Sequence, residues 1–366
     1  MYQTKIKYIS ILLLLILIGS IFRIYNVNFD DFWYDEMVSF WISDPSINFI
    51  NSLNRIFSSN LMVSYEIFLK FHHYIFGYDV YTSRYFSSII SIISIVLFYH
   101  LLKKNSSQEA SLFGLFLLVI NIYHIKYSLE LRAYILTFLL TVILIYYIFD
   151  NKKLNQTLKI YDYIFIFLIT LILLFSHAFS VIIIFSILVF LFLNFVKYET
   201  DRNLVIKLGL VFFLSLVIFL SIYLNNISHY PDWIEQVKPS FYTNYYFSKF
   251  FGSRSIGLIF LIIFIFLIIN FRKIFVKDLN IYTFFLILFF SSYTLPLIFG
   301  YLIKPILVDR YILFVLVPLL AILSHFTLLI KNKIIKFFLI FLLLGLQIIN
   351  LFDEYTLQQF YTEIYK

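Results

Sequence analysis

The chain contains no cysteine among its 366 residues, which excludes a disulfide framework, a thiolate metal site and a cysteine nucleophile. Charge is scarce as well: Asp, Glu, Lys and Arg together make up 13% of the residues, about half the share of roughly 25% in ordinary soluble domains. Glycine and proline number 8 and 6, too few for a collagen-like repeat, and no Gly/Ser linker, internal repeat or acidic tail is present. No Walker loop, G-x-G-x-x-G or G-x-S-x-G occurs, so ATP-driven transport and serine hydrolysis lack their usual signatures. In place of these features stands an apolar fraction of 62%, against roughly 45–50% in soluble domains. A soluble enzyme and a disordered chain are both excluded, and a polytopic membrane protein remains.

Apolar runs of about 20 residues, the length that crosses a hydrocarbon core of roughly 30 Å, fall at 6–22, 82–102, 110–127, 131–149, 161–176, 179–196, 204–224, 256–271, 281–303, 311–330 and 334–352. The expectation is an all-α polytopic membrane protein of about eleven transmembrane helices in one domain, 1–352, followed by a short tail, 353–366. The first run has flanking lysines, Lys5 and Lys7, and no small-residue cleavage site, so it reads as an uncleaved span. With the N-terminus in the cytoplasm, 16 of the 28 Lys and Arg residues gather in short cytoplasmic loops and 14 of the 20 carboxylates face outward. The net charge of +8 is thereby a topology signal rather than a nucleic-acid patch. The two longest polar stretches, 23–81 and 225–255, become external loops, and the segment 61–77, interrupted by Glu66, Lys70, His72 and His73, is too polar to cross and reads as an interfacial amphipathic helix.

Three constellations on that outer side carry chemistry. Asn28 to Glu36 holds four carboxylates with Trp33 and Tyr34, and a carboxylate there is suited to take a proton from a hydroxyl; a solvated acidic loop with its rings in the aromatic belt accounts for the same residues. Tyr127-Ser-Leu-Glu130-Leu-Arg132-Ala-Tyr134 lies where two spans meet, with Glu130 read at the start of a helix, Tyr134 one turn further on the same face and, if the helix is regular there, Arg132 pointing elsewhere. The alternative there is a pair of helix ends snorkelling to water. Asp309-Arg310-Tyr311 opens the tenth run, and Arg310, like Arg84 at the start of the second, is placed either to clamp a phosphate or to anchor to lipid headgroups. His177, after Ser176, either meets a ligand or is satisfied by a neighbouring helix. External carboxylates and histidines leave a divalent metal open as a cofactor, without H-x-x-x-H or EF-hand spacing.

At these residues the sequence resembles the membrane glycosyltransferases of the GT-C superfamily, most closely the bacterial members of glycosyltransferase family 39, relatives of protein O-mannosyltransferases and lipid A aminoarabinose transferases. The resemblance runs through Trp33-Tyr-Asp-Glu36, Ile75-Phe-Gly77 with Arg84, His124 to Tyr134, Ser176-His177, and Arg310-Tyr311 before Pro318. It implies a GT-C-like fold and an inverting transfer of sugar from a polyprenyl-phosphate donor to a glycan, lipid or protein hydroxyl on the extracytoplasmic side of a bacterial or archaeal plasma membrane. By the resemblance Asp35 is the general base with Glu36 beside it, and Glu130 and Arg132 line the same cavity. Tyr127, Tyr134, His177 and Tyr311 are candidate substrate contacts, and Arg84 and Arg310 are candidates for the donor phosphate.

The chain departs from the family pattern at Asn60-Leu-Met-Val63, where relatives carry an asparagine followed by two prolines, and in its short tail, which leaves acceptor recognition to the loops. Partners expected are the lipid-linked donor, the acceptor and membrane lipids, and no nucleic acid. An oligosaccharide polymerase, or a transporter or flippase of lipid-linked sugars, is the alternative. The spans are nearly free of central charge, against a transporter, and 225–255 carries only Lys238, Lys249 and Arg254, against a polymerase.

Overall fold

A computed structural model describes residues 2–25, 27–28, 31–59, 62–149, 158–197, 202–226, 234–236, 246–277 and 279–364. Asp30, Asn60, Leu61, Lys152, Lys153, Lys238 and most of the loop 225–255 lie outside the described residues. Every regular element among the described residues is helical, as the dearth of glycine, proline and alternating patterns requires. A long first helix, α1 (Tyr2–Ile24), is followed by three short ones, α2 (Tyr34–Ile42), α3 (Phe49–Ser58) and α4 (Val63–Phe76), and then by α5 (Val80–Asn105), α6 (Gln108–Val119), α7 (Ile122–Ser128) and α8 (Tyr134–Ile148). The remainder comprises α9 (Ile160–Leu174), α10 (Ser180–Lys197), α11 (Arg202–Asn226), α12 (Tyr246–Phe250), α13 (Arg254–Asn270), α14 (Arg272–Lys277) and α15 (Ile281–Leu302). A 3₁₀ segment (Asp309–Val315), α16 (Leu316–Leu329) and α17 (Lys333–Ile364) complete the chain.

Among the described residues seven helical stretches are long and apolar enough to cross a membrane, or eight when the bent pair α6 and α7 counts as one span. The other expected runs, 131–149, 161–176 and 256–271, are helical too, but α8, α9 and α13 have 15, 15 and 17 residues. At 1.5 Å per residue that is about 22–26 Å, short of a roughly 30 Å core. Length and composition thus mark seven or eight candidate spans among the described residues, and the expected eleven include these three shorter apolar helices. In the expected tail, 353–364 continue α17 as helix.

The segment expected to lie at the interface is α4; with α2 and α3, which lie between α1 and α5 along the chain, it forms a layer of short helices in which α4 packs on α5. Asn48 accepts from the Asn51 N–H at 2.8 Å to start α3, and the Lys70 ammonium of α4 reaches the carbonyls of Asp44 and Ile47 between α2 and α3. The layer stops at Gly77, whose φ of 96° is open to glycine and strained for other residues. Its outer face is aromatic: Trp41, Phe49, Phe71 and Tyr74 are all exposed.

Two devices that composition conceals hold the inner bundle together. Along α5, Ser83, Ser87, Ser88, Ser91 and Ser94 are all buried, spaced to line one broad face, and each is spent on a different neighbour. Ser83 meets His73 Nε2 at 2.8 Å, Ser87 the Tyr65 hydroxyl at 2.8 Å, Ser88 donates to the Ser128 carbonyl at 3.2 Å, and Ser94 meets His124 Nε2 at 3.3 Å. Small hydroxyls between helices allow close approach and supply hydrogen bonds where lipid offers none. Ser91 accepts from Arg23 Nε at 2.8 Å, and Arg23, expected at the mouth of the loop 23–81, is instead wholly buried. Its guanidinium donates to the carbonyls of Leu118 and Val119 at 3.1 Å each. Those carbonyls lie where α6 ends and the chain bends by 58° into α7, so a cation sits at the negative end of a helix. Asn121 then starts α7 by accepting from the His124 N–H at 2.9 Å.

Candidate functional site

The bend at 120–121 carries Tyr127 and the residues after it towards the short helices. From Leu129 to Ala133 the backbone is irregular, and α8 begins only at Tyr134. Glu130 is therefore not at a helix start, as the spacing had implied, and the reading of Arg132 as pointing away falls with it. A regular helix would have separated the two; the irregular turn, in which the Arg132 N–H donates to the Glu130 carbonyl at 2.9 Å, brings Arg132 to face α2.

There it meets Asp35. The Asp35 carboxylate lies 3.8 Å from the Arg132 guanidinium and 3.9 Å from that of Arg310, and Arg132 also donates to the Asp35 backbone carbonyl at 3.1 Å. With its side chain 31% exposed, Asp35 is accessible between two cations that come from remote parts of the chain. Arg310 lies over the Trp33 ring at 5.3 Å, so the aromatic residue beside the acidic cluster orients the second cation.

Glu36, the next residue, faces the other way and is fully buried. Arg84 holds it bidentately, Nε to Oε1 at 2.9 Å and the terminal nitrogen to Oε2 at 2.6 Å. The Leu131 N–H donates to the same carboxylate at 2.7 Å and the Trp33 N–H at 3.4 Å. Arg84 also donates to the carbonyls of Val27 and Asp31. The candidate that the sequence offered for phosphate binding is thus committed to a buried ion pair that ties α2, α5 and the 129–133 turn together.

The aromatic candidates converge. Tyr127 and Tyr134 are buried with ring centroids 5.3 Å apart, and His177 packs at 5.7 Å on Tyr134 and at 4.8 Å on Tyr311. Burial, helped by the Arg132 and Arg310 charges, pushes the His177 imidazole down to about 3, so the ring is neutral; the Phe179 N–H donates to its Nδ1 at 3.2 Å, leaving the proton on Nε2. Glu130 has one buried carboxylate oxygen with no hydrogen-bond partner among the described residues. Burial pushes its carboxyl up to about 7 against the pull of Lys126, with the Glu36 charge adding to the rise and the two arginines opposing it.

Arg132, Tyr134, His177 and Tyr311 form one end of a cavity of about 550 Å³, together with Glu66, Met62 and Ser176. The rest of its wall is apolar, including Ile182 and Phe185 of α10, Leu220 and Leu224 of α11, and Leu295 and Phe299 of α15. Such a space suits an amphipathic ligand with an anionic head beside Arg132. Glu66 is the residue that sequence reading missed as a site member: it was read as one of the polar interruptions of an interfacial helix. The available signal was a carboxylate one turn into a helix otherwise rich in large apolar side chains. Among the described residues no three His, Asp or Glu side chains come together to hold a metal ion.

Fold and site together define a multi-helical protein of membrane-spanning type, with a layer of short helices beside a polar-ended cavity. No protein-family model matches the sequence, and no curated protein matches it. Among solved structures the chain is similar to the archaeal oligosaccharyltransferase AglB from Archaeoglobus fulgidus, determined in complex with an inhibitory peptide and a dolichol-phosphate, at 17% identity and a TM-score of 0.44. The similarity covers 83% of this chain and 38% of that one, so the chain spans well under half the length of that protein.

Proposed function

We propose that the protein is a membrane glycosyltransferase that moves a sugar from a polyprenyl-phosphate carrier to an acceptor hydroxyl on a glycan, lipid or protein, at the extracytoplasmic face of a cell membrane. One observation carries this reading: the accessible Asp35 carboxylate stands 3.8 and 3.9 Å from Arg132 and Arg310, and Arg132 is also the cationic wall of a cavity that is otherwise apolar along most of its length. A polyprenyl chain fits the apolar stretch, and its phosphate meets the guanidiniums.

The chemistry follows from that arrangement. Asp35 takes the proton from the acceptor hydroxyl as its oxygen bonds to the anomeric carbon. The bond from that carbon to the phosphate oxygen breaks, and the electron pair leaves on the phosphate, whose added charge Arg132 and Arg310 neutralise. Glu36 and Arg84 take no part in these steps; they fix α2 so that Asp35 points into the site. No soluble nucleotide is required, and attack in line with the departing phosphate inverts the anomeric centre.

The test is reconstitution of the full chain in liposomes with a panel of radiolabelled polyprenyl-phosphate sugars and a membrane extract as acceptor source. Consumption of one donor with appearance of free polyprenyl phosphate is the expected result. Movement of the intact labelled lipid between leaflets without loss of its sugar overturns the reading in favour of a flippase, and growth of a lipid-linked chain in favour of a polymerase.

A further inference from the structure

Glu66 shares the cavity with Arg132 but has no part in the transfer step above. It is held firmly. On one side the Ser64 N–H donates to the Phe175 carbonyl at 2.9 Å, and on the other the Tyr65 hydroxyl is 2.8 Å from Ser87 Oγ. The residue is 4% exposed. Its Oε1 accepts from Ser39 Oγ at 3.0 Å, and Arg132 donates to that same serine oxygen at 3.3 Å. Its Oε2 is buried with no hydrogen-bond partner among the described residues. A carboxylate oxygen left unpaired in such a place is costly unless a ligand uses it.

Among the described residues Glu66 and Arg132 are the two charged side chains in the cavity wall, and Ser39 links them. A phosphate beside Arg132 puts whatever is esterified to it next to Glu66, while the hydrocarbon chain runs into the apolar stretch. A carboxylate repels the phosphate itself and attracts hydroxyl or ammonium groups. Burial pushes the Glu66 carboxyl up to about 7, with Arg132 and Ser39 pulling the other way, so near neutral pH the group both accepts and donates.

Building on the lipid-phosphate reading above, we propose that Glu66 is a specificity-determining residue that binds the sugar of the donor through a hydroxyl or ammonium group, with Ser39 orienting its carboxylate. The sugar is then gripped independently of the phosphate, which the two arginines hold.

The experiment measures binding of three probes to the purified full-length protein in nanodiscs: undecaprenyl phosphate, undecaprenyl-phosphate glucose, which offers hydroxyls only, and undecaprenyl-phosphate aminoarabinose, which adds an ammonium. The wild type is expected to bind at least one sugar-bearing lipid more tightly than the bare phosphate. Glu66→Gln is expected to weaken that lipid by about tenfold or more, the scale of a hydrogen bond to a charged group, while leaving bare undecaprenyl phosphate within about twofold. Ser39→Ala, which keeps the carboxylate but frees it, loses preference in the same direction by less, and it decides the matter if Glu66→Gln does not fold. Preference for the aminoarabinose lipid identifies the ammonium as the recognised group, and equal loss on both sugars identifies a hydroxyl. A wild-type preference that survives both variants overturns the assignment of Glu66 and leaves the donor reading intact. Equal wild-type affinity for all three probes overturns Glu66 alone, and no binding of any probe overturns the donor reading and this inference with it.

Discussion

Glu36 has both carboxylate oxygens occupied, by Arg84, by the Leu131 N–H and by the Trp33 N–H, and it is fully buried. Asp35, one residue earlier in the same helix, is 31% exposed and faces its two cations at 3.8 and 3.9 Å, beyond hydrogen-bond length. Consecutive residues of a helix point about 100° apart, so α2 presents one acid to the bundle and the other to the site. A carboxylate with every lone pair engaged cannot also take up a proton from a substrate without breaking the structure around it. One held loosely between cations, with solvent access, is free to do so. Two acids that look alike in sequence are thus divided by burial into one closed in an ion pair and one accessible beside two arginines, and the proposed mechanism assigns the proton transfer to the second.

The largest test of that division is Asp35→Asn. Transfer activity is expected to fall by about 10²–10⁴-fold, the scale of general-base assistance, with thermal unfolding unchanged and undecaprenyl phosphate still bound. Turnover near wild type would erase the contrast between the two acids. For Glu36 the expectation reverses: Glu36→Gln or Arg84→Gln leaves a buried charge alone and lowers unfolding stability by about 3–5 kcal/mol, read as a lower unfolding temperature in detergent. Replacing both by apolar residues should recover much of that loss, and failure to do so would mean the pair does more than close the structure.

Next in size are the cations. Arg132→Gln and Arg310→Gln should each weaken binding of undecaprenyl phosphate by about 1.5–3 kcal/mol, roughly tenfold or more in Kd, whereas Arg84→Gln protein that remains folded should bind it normally. Weaker binding in all three would return Arg84 to the phosphate site.

The smallest effect concerns Glu130, whose folded carboxyl is raised to about 7 from an ordinary value of 4.5. Between those values the folded state holds a proton that the unfolded state has released, so stability falls as pH rises through that window. Glu130→Gln, which cannot ionise, should flatten the dependence of unfolding temperature on pH between about 5 and 8. Identical profiles for variant and wild type would place Glu130 in a wetter setting than its burial indicates.

How far this site was legible follows from what each residue depends on. Tyr134, His177 and Arg310 were singled out because they stand at the ends of apolar runs, Tyr311 because it follows Arg310, and Asp35 because it lies in the acidic cluster beyond the first run; the structure brings these five candidates close to one another. The partnership of Glu36 with Arg84 spans 48 residues and has no local signature. Arg132 was misdirected because helical periodicity was extended through 129–133, where the backbone is irregular. Glu66 was hidden by the polarity of its own segment, since an interfacial helix accounts for a carboxylate without needing a site. The serine face of α5 was invisible for the opposite reason: hydroxyls scattered through an apolar run barely alter its hydropathy, and their meaning lies in the helices they touch.

The burial of Arg23 has a consequence for how the molecule is put together. Its guanidinium finds acceptors on Leu118, Val119 and Ser91, all of which are made later than α1 as the chain emerges. Until α5 and α6 are in place, the guanidinium in the last turn of α1 has the Gly19 carbonyl of its own helix, at 3.0 Å, to receive it but none of these three acceptors, and that turn is expected to stay near water. Packing of the first helix onto the bundle therefore places a cation on the carbonyls at the α6 to α7 bend. The turn bearing Glu130 and Arg132 hangs from that bend, so a chain interrupted before residue 118 has a first span but no foundation for the site.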